Sequence, residues 1–156
     1  MYYIEILVLF LMILLNGIFS MSEIALVSAK KFKFENLATK GSANAEKVIP
    51  PAEKPNTFLS TVQIGITLIG IFTGVYSGDK ITEDVKVFLS RFESLQQYSD
   101  SISVVLVLVI LTFFSIVFGE LIPKRMGLIF PEKIAVMMAK PITLLSTIAK
   151  PFIWLL

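Results

Sequence analysis

The chain has 156 residues, of which 55% are apolar and only 17% are charged, and its formal net charge is +2. Because a soluble domain usually carries about a quarter charged residues, this composition favours a membrane protein over a soluble helical core, and the near-neutral charge argues against nucleic-acid binding. Cysteine and histidine are absent, which excludes disulfides, zinc sites with thiolate or imidazole ligands, and nucleophiles activated by histidine.

Three long stretches without any charged residue predict the membrane spans. They cover residues 6–22, 55–78 and 101–119. Since a spanning helix needs about 20 apolar residues, we predict spans at about residues 2–29, 57–77 and 102–122. The first run follows no basic segment and precedes no small-residue cleavage site, so we interpret it as a retained span rather than a signal peptide. The predicted fold class is an all-α membrane protein with three transmembrane helices, short cytoplasmic helices and a C-terminal juxtamembrane helix.

The segment between the first two spans predicts two short helices. Residues 30–39 form a basic helix that can lie on an anionic membrane surface, with Gly41 as its C-cap. Residues 43–48 form a second turn, which Pro50 and Pro51 end. The segment carries six lysines, so the positive-inside rule places it and the C-terminus in the cytoplasm, and the N-terminus and the second loop outside.

The C-terminal tail, residues 128–156, is apolar but interrupted by charges and prolines. We expect juxtamembrane helices that lie in the cytoplasmic interface of the lipid bilayer, and a fourth span that is only partly captured is the alternative. The tail ends without a polar segment, so we expect a soluble domain to follow in a longer protein.

Each predicted span carries one stripe of oxygen-bearing side chains on a single helix face. The members are Asn16, Ser20 and Glu23 in the first span, Asn56, Ser60, Gln63 and Thr67 in the second, and Thr112 and Ser115 in the third, where Gly119 continues the face and Glu120 lies beside it. A carboxylate at the centre of a membrane helix costs roughly 2.5–3.5 kcal/mol on insertion scales, so both acids need a partner or a function. We expect the three stripes to line one cavity that opens toward the cytoplasm, where their oxygens suit a hard cation.

Two structural alternatives to an ion site stay open. The hydroxyl and amide groups can simply hydrogen-bond neighbouring helices, and Glu120 can pair with Lys124 one helical turn later. Pro123 deprives the Gly119 carbonyl of its helical donor, which makes that carbonyl a further candidate cation ligand.

Three glycines at intervals of four residues predict a close helix contact near the outer end of the second span. Such a ladder lets two helices approach closely, either within one subunit or across a dimer. Its members are Gly70, Gly74 and Gly78.

Three segments resemble the membrane domain of the CorC/cyclin-M (CNNM) family. They are residues 16–26, 58–68 and 118–124, which read NGIFSMSEIAL, FLSTVQIGITL and FGELIPK. The resemblance covers essentially the whole chain. It implies a homodimer of three-span subunits in the bacterial inner membrane, followed in longer chains by cytoplasmic CBS domains, and a role in Mg²⁺ export coupled to Na⁺. The metal ligands that it implies are Ser20, Ser22, Ser60, Gln63, Gly65 and Glu120. The chain departs from a Gly-Asn-Asn element of some members, since it has Gln63-Ile64-Gly65 there.

The sequence therefore favours the membrane domain of a Mg²⁺ exporter. The alternative is a membrane anchor that senses Mg²⁺ or regulates a partner without moving ions. An intramembrane enzyme is disfavoured, because the chain has no histidine, no cysteine and no paired acids beside an activated nucleophile. A membrane-damaging toxin is disfavoured because the spans have the character of ordinary inserted helices.

Overall fold

The computed structural model describes residues 2–53, 55–92 and 95–155, and every regular element within them is helical. The helices are α1 Tyr2–Ser28, α2 Lys31–Thr39, α3 Ala43–Glu53, α4 Pro55–Leu89, α5 Ser99–Ile116, α6 Ile122–Ile129 and α7 Pro131–Leu155. A 3₁₀ turn, Gln96–Tyr98, precedes α5, and a π-helical turn, Val117–Leu121, joins α5 to α6. Three segments are long and apolar enough to cross a membrane, namely Ile4–Ser28, Pro55–Leu89 and Gln96–Ile129. The predicted all-α fold with three spans is confirmed.

The second and third spanning helices are longer than predicted. Helix α4 continues past residue 77 to Leu89, because no proline or glycine follows Gly78 in that stretch to stop it. Its 35 residues make it about 52 Å long at 1.5 Å per residue, so its end extends beyond a hydrocarbon core of about 30 Å. The third segment ends at Ile129 because Pro131 restricts Phe130, which has φ −126° and ψ 51°.

The short helices between α1 and α4 are present, with one difference from the prediction. Gly41 ends the α2 turn with φ +89°, and the amide of Ser42 donates to the Leu37 carbonyl at 3.0 Å, as in a glycine C-cap. Helix α3, however, continues through Pro50 and Pro51 to Glu53, so the prediction that these prolines end it is wrong. The preceding turn of α3 is exposed at residues 46 and 47, where water can bond to carbonyls that the prolines leave without a donor.

The tail forms one helix, α7, rather than several. It continues through Pro141 and Pro151. The alternative of a fourth span gains no support, because α7 is not among the candidate spans found in the described residues. One face of α7 instead packs into a core with the ends of α1 and α4 and with α2 and α3.

This core, which we call the cap, holds one end of the bundle together. Phe34 of α2 and Val48 of α3 are fully or almost fully buried in it, as is Ile142 of α7. Two ion pairs join its helices at the surface: Lys33 to Glu132 at 2.8 Å and Lys31 to Glu53 at 2.6 Å. The Lys33 ammonium holds the pKa of the Glu132 carboxyl below its ordinary value by donating a hydrogen bond to it.

Close helix contacts occur at glycines other than the predicted ladder. A Cβ at Gly17 of α1 would lie 2.7 Å from the Phe118 carbonyl oxygen, and one at Gly127 of α6 would lie 2.7 Å from the Met21 carbonyl oxygen. A Cβ at Gly70 or Gly74 would meet nothing within 4 Å, so among the described residues no neighbouring helix packs against the side-chain position of these two ladder glycines. Gly78 lies outside the residues whose packing is described.

Candidate functional site

The π-helical turn Val117–Leu121 contains Glu120, one of the two acids predicted to bind a cation. Pro123 has no amide hydrogen, so the Gly119 carbonyl lacks its helical donor. The side chain of Asn16 replaces that donor, because its Nδ2 donates a hydrogen bond to the Gly119 oxygen at 3.3 Å. The sequence offered this carbonyl as a cation ligand, and the structure instead uses it to join α1 to the turn. Single π-helical turns inside α-helices are frequent at functional sites.

Glu120 lies in this turn and has an ion-pair partner. Lys124 Nζ donates to Glu120 Oε1 at 2.6 Å, and the two residues are four positions apart. The structural alternative from the sequence is therefore present in the structure. Both side chains are partly exposed, at 49% for Glu120 and 36% for Lys124, so the pair can be exchanged for another partner without unpacking the fold.

An elongated cavity of about 430 Å³ lies between α1, α4 and α5, and we call it the central cavity. Its walls are mostly apolar, with polar side chains at separate positions along its length. The polar or glycine residues that line it are Asn16, Gly70, Thr73, Gly74, Thr82, Thr112, Ser115, Gly119 and Glu120. It thus combines parts of the first and third stripes with the glycine ladder of α4.

Asn16 carries an unsatisfied acceptor in this region. Its Oδ1 atom is buried and has no hydrogen-bond partner among the described residues. The Gly119 carbonyl can only accept, so its contact with Asn16 identifies the amide nitrogen and leaves Oδ1 as the free end. An unsatisfied buried acceptor costs about 1–3 kcal/mol, so this atom is a natural point for a ligand hydrogen-bond donor.

A second, more open cavity of about 620 Å³ lies along α4 beside the end of α1, and we call it the lateral cavity. Its polar lining consists of Glu23, Ser60, Gln63 and Thr67, and aliphatic residues of α4 complete it. One carboxylate, two hydroxyls and one amide therefore share this space. These are the oxygen ligands that Mg²⁺ and Ca²⁺ prefer.

The two serines predicted in the first span line neither cavity. Ser22 is fully buried, and its Oγ donates to the Ile18 carbonyl at 2.6 Å, one turn earlier in α1. Ser20 is 2% exposed. The ring of Phe19 lies against Gly65, 3.1 Å from the position of an added Cβ, so Gly65 serves a close contact between α1 and α4. Asn56 is exposed at the start of α4.

The single cavity expected from the three stripes is therefore not what the chain forms. Ser60 and Gln63 lie in the lateral cavity and Glu120 lies in the central cavity. Within the described residues, no three acids lie close enough to hold a metal ion. The expectation was wrong because spacing along one helix fixes which residues share a face but not which neighbour that face meets.

Two polar residues that line the central cavity were not predicted from the sequence, Thr73 and Thr82. Thr73 stands three residues after Gly70 and next to Gly74, so it shares the face of the glycine ladder. That spacing was a usable signal. Thr82 lies beyond the predicted end of the second span, and only the greater length of α4 brings it to the cavity.

Comparison with known proteins agrees with the resemblance of the three segments. A family model described as "Cyclin M transmembrane N-terminal domain" (CNNM) matches residues 6–156. The UPF0053 protein sll0260 of Synechocystis is 43% identical over 97% of this chain and 34% of its own length. Proteins named "Polyamine export protein" are 32% identical in Salmonella typhimurium, over 97% of this chain, and 33% identical in Escherichia coli K12, over 96% of it.

The chain spans about a third of the length of these curated relatives. Its helices of spanning length and its bacterial relatives together identify a multi-pass bacterial membrane protein. Because the family match covers residues 6–156, this chain belongs to the cyclin M (CNNM) transmembrane domain family.

Proposed function

We propose that this chain is the membrane domain of a cation exporter that moves Mg²⁺ out of the cytoplasm in exchange for Na⁺. The observation that carries the proposal is the lateral cavity, where the Glu23 carboxylate shares an open space with the oxygens of Ser60, Gln63 and Thr67. Mg²⁺ is bound by few protein oxygens and keeps several waters, and an open cavity leaves room for that hydration.

The orientation and assembly follow the sequence expectations as parts of the same proposal. The N-terminus lies outside, the C-terminus and the cap lie in the cytoplasm, and the functional unit is a homodimer that carries CBS domains in its longer form. In this orientation the lateral cavity lies near the cytoplasmic side, because Glu23 is close to the cap end of α1.

Glu120 binds Mg²⁺ in this proposal only after its ion pair with Lys124 breaks. In the structure its carboxylate pairs with that ammonium, and it lies in a different cavity from Ser60. Ser20, Ser22 and Gly65 are packed inside the bundle, so they would join the site only in another conformation. We therefore assign the first contact with Mg²⁺ to Glu23, Ser60 and Gln63.

Transport is tested with the purified chain in liposomes that enclose a Mg²⁺-sensitive dye. We expect Mg²⁺ flux above that of empty vesicles, driven by an opposing Na⁺ gradient. Glu23→Gln and Ser60→Ala should reduce it at least tenfold, while Asn36→Ala on the exposed face of α2 should not. Calorimetric binding of Mg²⁺ without any flux would instead support the sensing anchor and overturn the exporter.

Polyamine export is a second candidate, favoured by the relatives named "Polyamine export protein". A polyamine is also a cation, so the same liposomes can be loaded with radiolabelled spermidine. Spermidine flux without Mg²⁺ flux would replace the first proposal by the second.

A further inference from the structure

The central cavity is longer than a site for a single hydrated metal ion needs to be. It follows α4 from Ile69 to Thr82 and α5 from Val104 into the π turn at Glu120. At 1.5 Å per residue, these stretches are about 20 Å and 24 Å long. The cavity is thus elongated along the helices rather than compact.

Its polar groups are spread along the length instead of converging on one point. The Glu120 carboxylate is at one end, where Asn16 of α1 contacts the neighbouring Gly119, and Ser115 and Thr112 follow at successive turns of α5. A Mg²⁺ ion needs its ligands at about 2.1 Å around a single centre. A chain of methylene groups interrupted by ammonium groups needs what this cavity has, namely apolar walls with separated acceptors.

Two acceptors point to an ammonium donor. The Asn16 Oδ1 atom is buried without a hydrogen-bond partner in the described part of the chain, and a ligand N–H is the group that would satisfy it. The Glu120 carboxylate already binds an ammonium, that of Lys124, at 2.6 Å. A ligand ammonium can take the place of Lys124 there with no change in the charge of the pair, and the partly exposed lysine can turn to water.

We propose that the central cavity binds a linear aliphatic polyammonium cation, with Glu120 and the Asn16 Oδ1 atom as acceptors for two of its ammonium groups. The inference rests on polyamine export, the second candidate function above, and gives it a site distinct from the lateral cavity. Thr112 and Ser115 hydroxyls serve as further acceptors along the chain of the ligand, and the apolar residues of α4 and α5 cover its methylene groups.

The structure offers a way to block this site without disturbing the fold. Gly70 lines the cavity, and a Cβ added there meets nothing within 4 Å. A larger side chain at this position therefore fills cavity space rather than clashing with a neighbouring helix. Gly70→Leu is the blocking variant. Thr112→Val removes one hydroxyl with little change of shape.

Binding is measured by calorimetry on the purified full chain in detergent, with spermidine and Mg²⁺ as separate titrants. We expect Gly70→Leu to abolish spermidine binding, and Thr112→Val and Glu120→Gln to weaken it about tenfold, the loss of one hydrogen bond to a charged group. Asn36→Ala on the exposed face of α2 is the control, and it should leave spermidine binding unchanged. Melting temperatures check that each variant is folded.

The outcomes separate this inference from the function on which it rests. Spermidine binding by Gly70→Leu at wild-type strength overturns the site. If that variant also keeps spermidine flux in liposomes, polyamine export stands but uses another path. If the wild-type chain binds no spermidine and still transports Mg²⁺, the inference is overturned and the Mg²⁺ proposal is untouched.

Discussion

The close approach of Gly17 to the π turn provides a quantitative test of the structure. Replacing Gly17 by alanine would place a Cβ 2.7 Å from the Phe118 carbonyl oxygen and 2.7 Å from Pro123 Cγ. Favourable contacts between such atoms lie at about 3.5–4.0 Å, so α1 must move by almost 1 Å. The opposing atoms belong to the π turn and a proline ring, and the turn is tied to α1 by Asn16, so neither can give way easily.

The expected effect follows from two opposing terms. Overpacking of this kind costs about 1–3 kcal/mol, and exchanging a helical glycine for alanine returns up to about 1 kcal/mol. The net loss relative to the wild type is about 0–2 kcal/mol. Relative to a glycine-to-alanine exchange without a clash it is about 1–3 kcal/mol, which lowers the melting temperature by about 2–12 °C for a domain of this size. The assay is thermal unfolding in detergent, followed by circular dichroism.

A matched control isolates the clash from the change in helix propensity. Gly70 also lies inside a spanning helix, and its added Cβ meets nothing within 4 Å, so Gly70→Ala should melt at or above the wild-type temperature. If Gly17→Ala melts no lower than Gly70→Ala, the close approach of α1 to the π turn is not present in the protein, and the reasoning fails.

Three further predictions concern the cap and its surface. Phe34→Ala should destabilise the protein by about 3–5 kcal/mol, because Phe34 is fully buried, and chemical denaturation with the exposed Phe32→Ala as reference checks this. Gly41→Ala should cost about 1 kcal/mol, because φ is +89° there, and an unchanged melting temperature would contradict the C-cap. Lys33 lowers the pKa of Glu132 in the folded state, so the pair stabilises above the unfolded pKa of about 4.3 and loses this contribution as pH falls through the lower folded value. The melting-temperature difference between wild type and Glu132→Gln should thus be present at pH 7 and vanish in acid, and a difference that persists at low pH would refute the assignment.

Several features of the fold were predictable because they depend on local sequence. Hydropathy over about 20 residues identified each span, and Gly41 marked the end of α2 through its own backbone preference. Features that depend on what stops a helix were predicted less well. Pro50 and Pro51 were expected to end α3 and do not, because the cost of a proline depends on whether water reaches the freed carbonyls.

The contacts of the candidate site were likewise predicted only in part. Spacing indicated that Ser60, Gln63 and Thr67 share a face of α4, and they do line one cavity, together with Glu23. Spacing also offered the pairing of Glu120 with Lys124, and the structure forms it. It gave no sign that Asn16 would bond to the Gly119 carbonyl across 103 positions in the chain.

The sequence by itself determined the number of spans and the polar face of each, because hydropathy and helical period are properties of neighbouring residues. The tertiary structure alone decided which faces meet. The rotation of each helix about its axis is fixed by contacts between distant segments, above all Gly17 against Phe118 and Gly127 against Met21. Those contacts distribute the acceptors between the central and lateral cavities, since a close approach at one face leaves space at another.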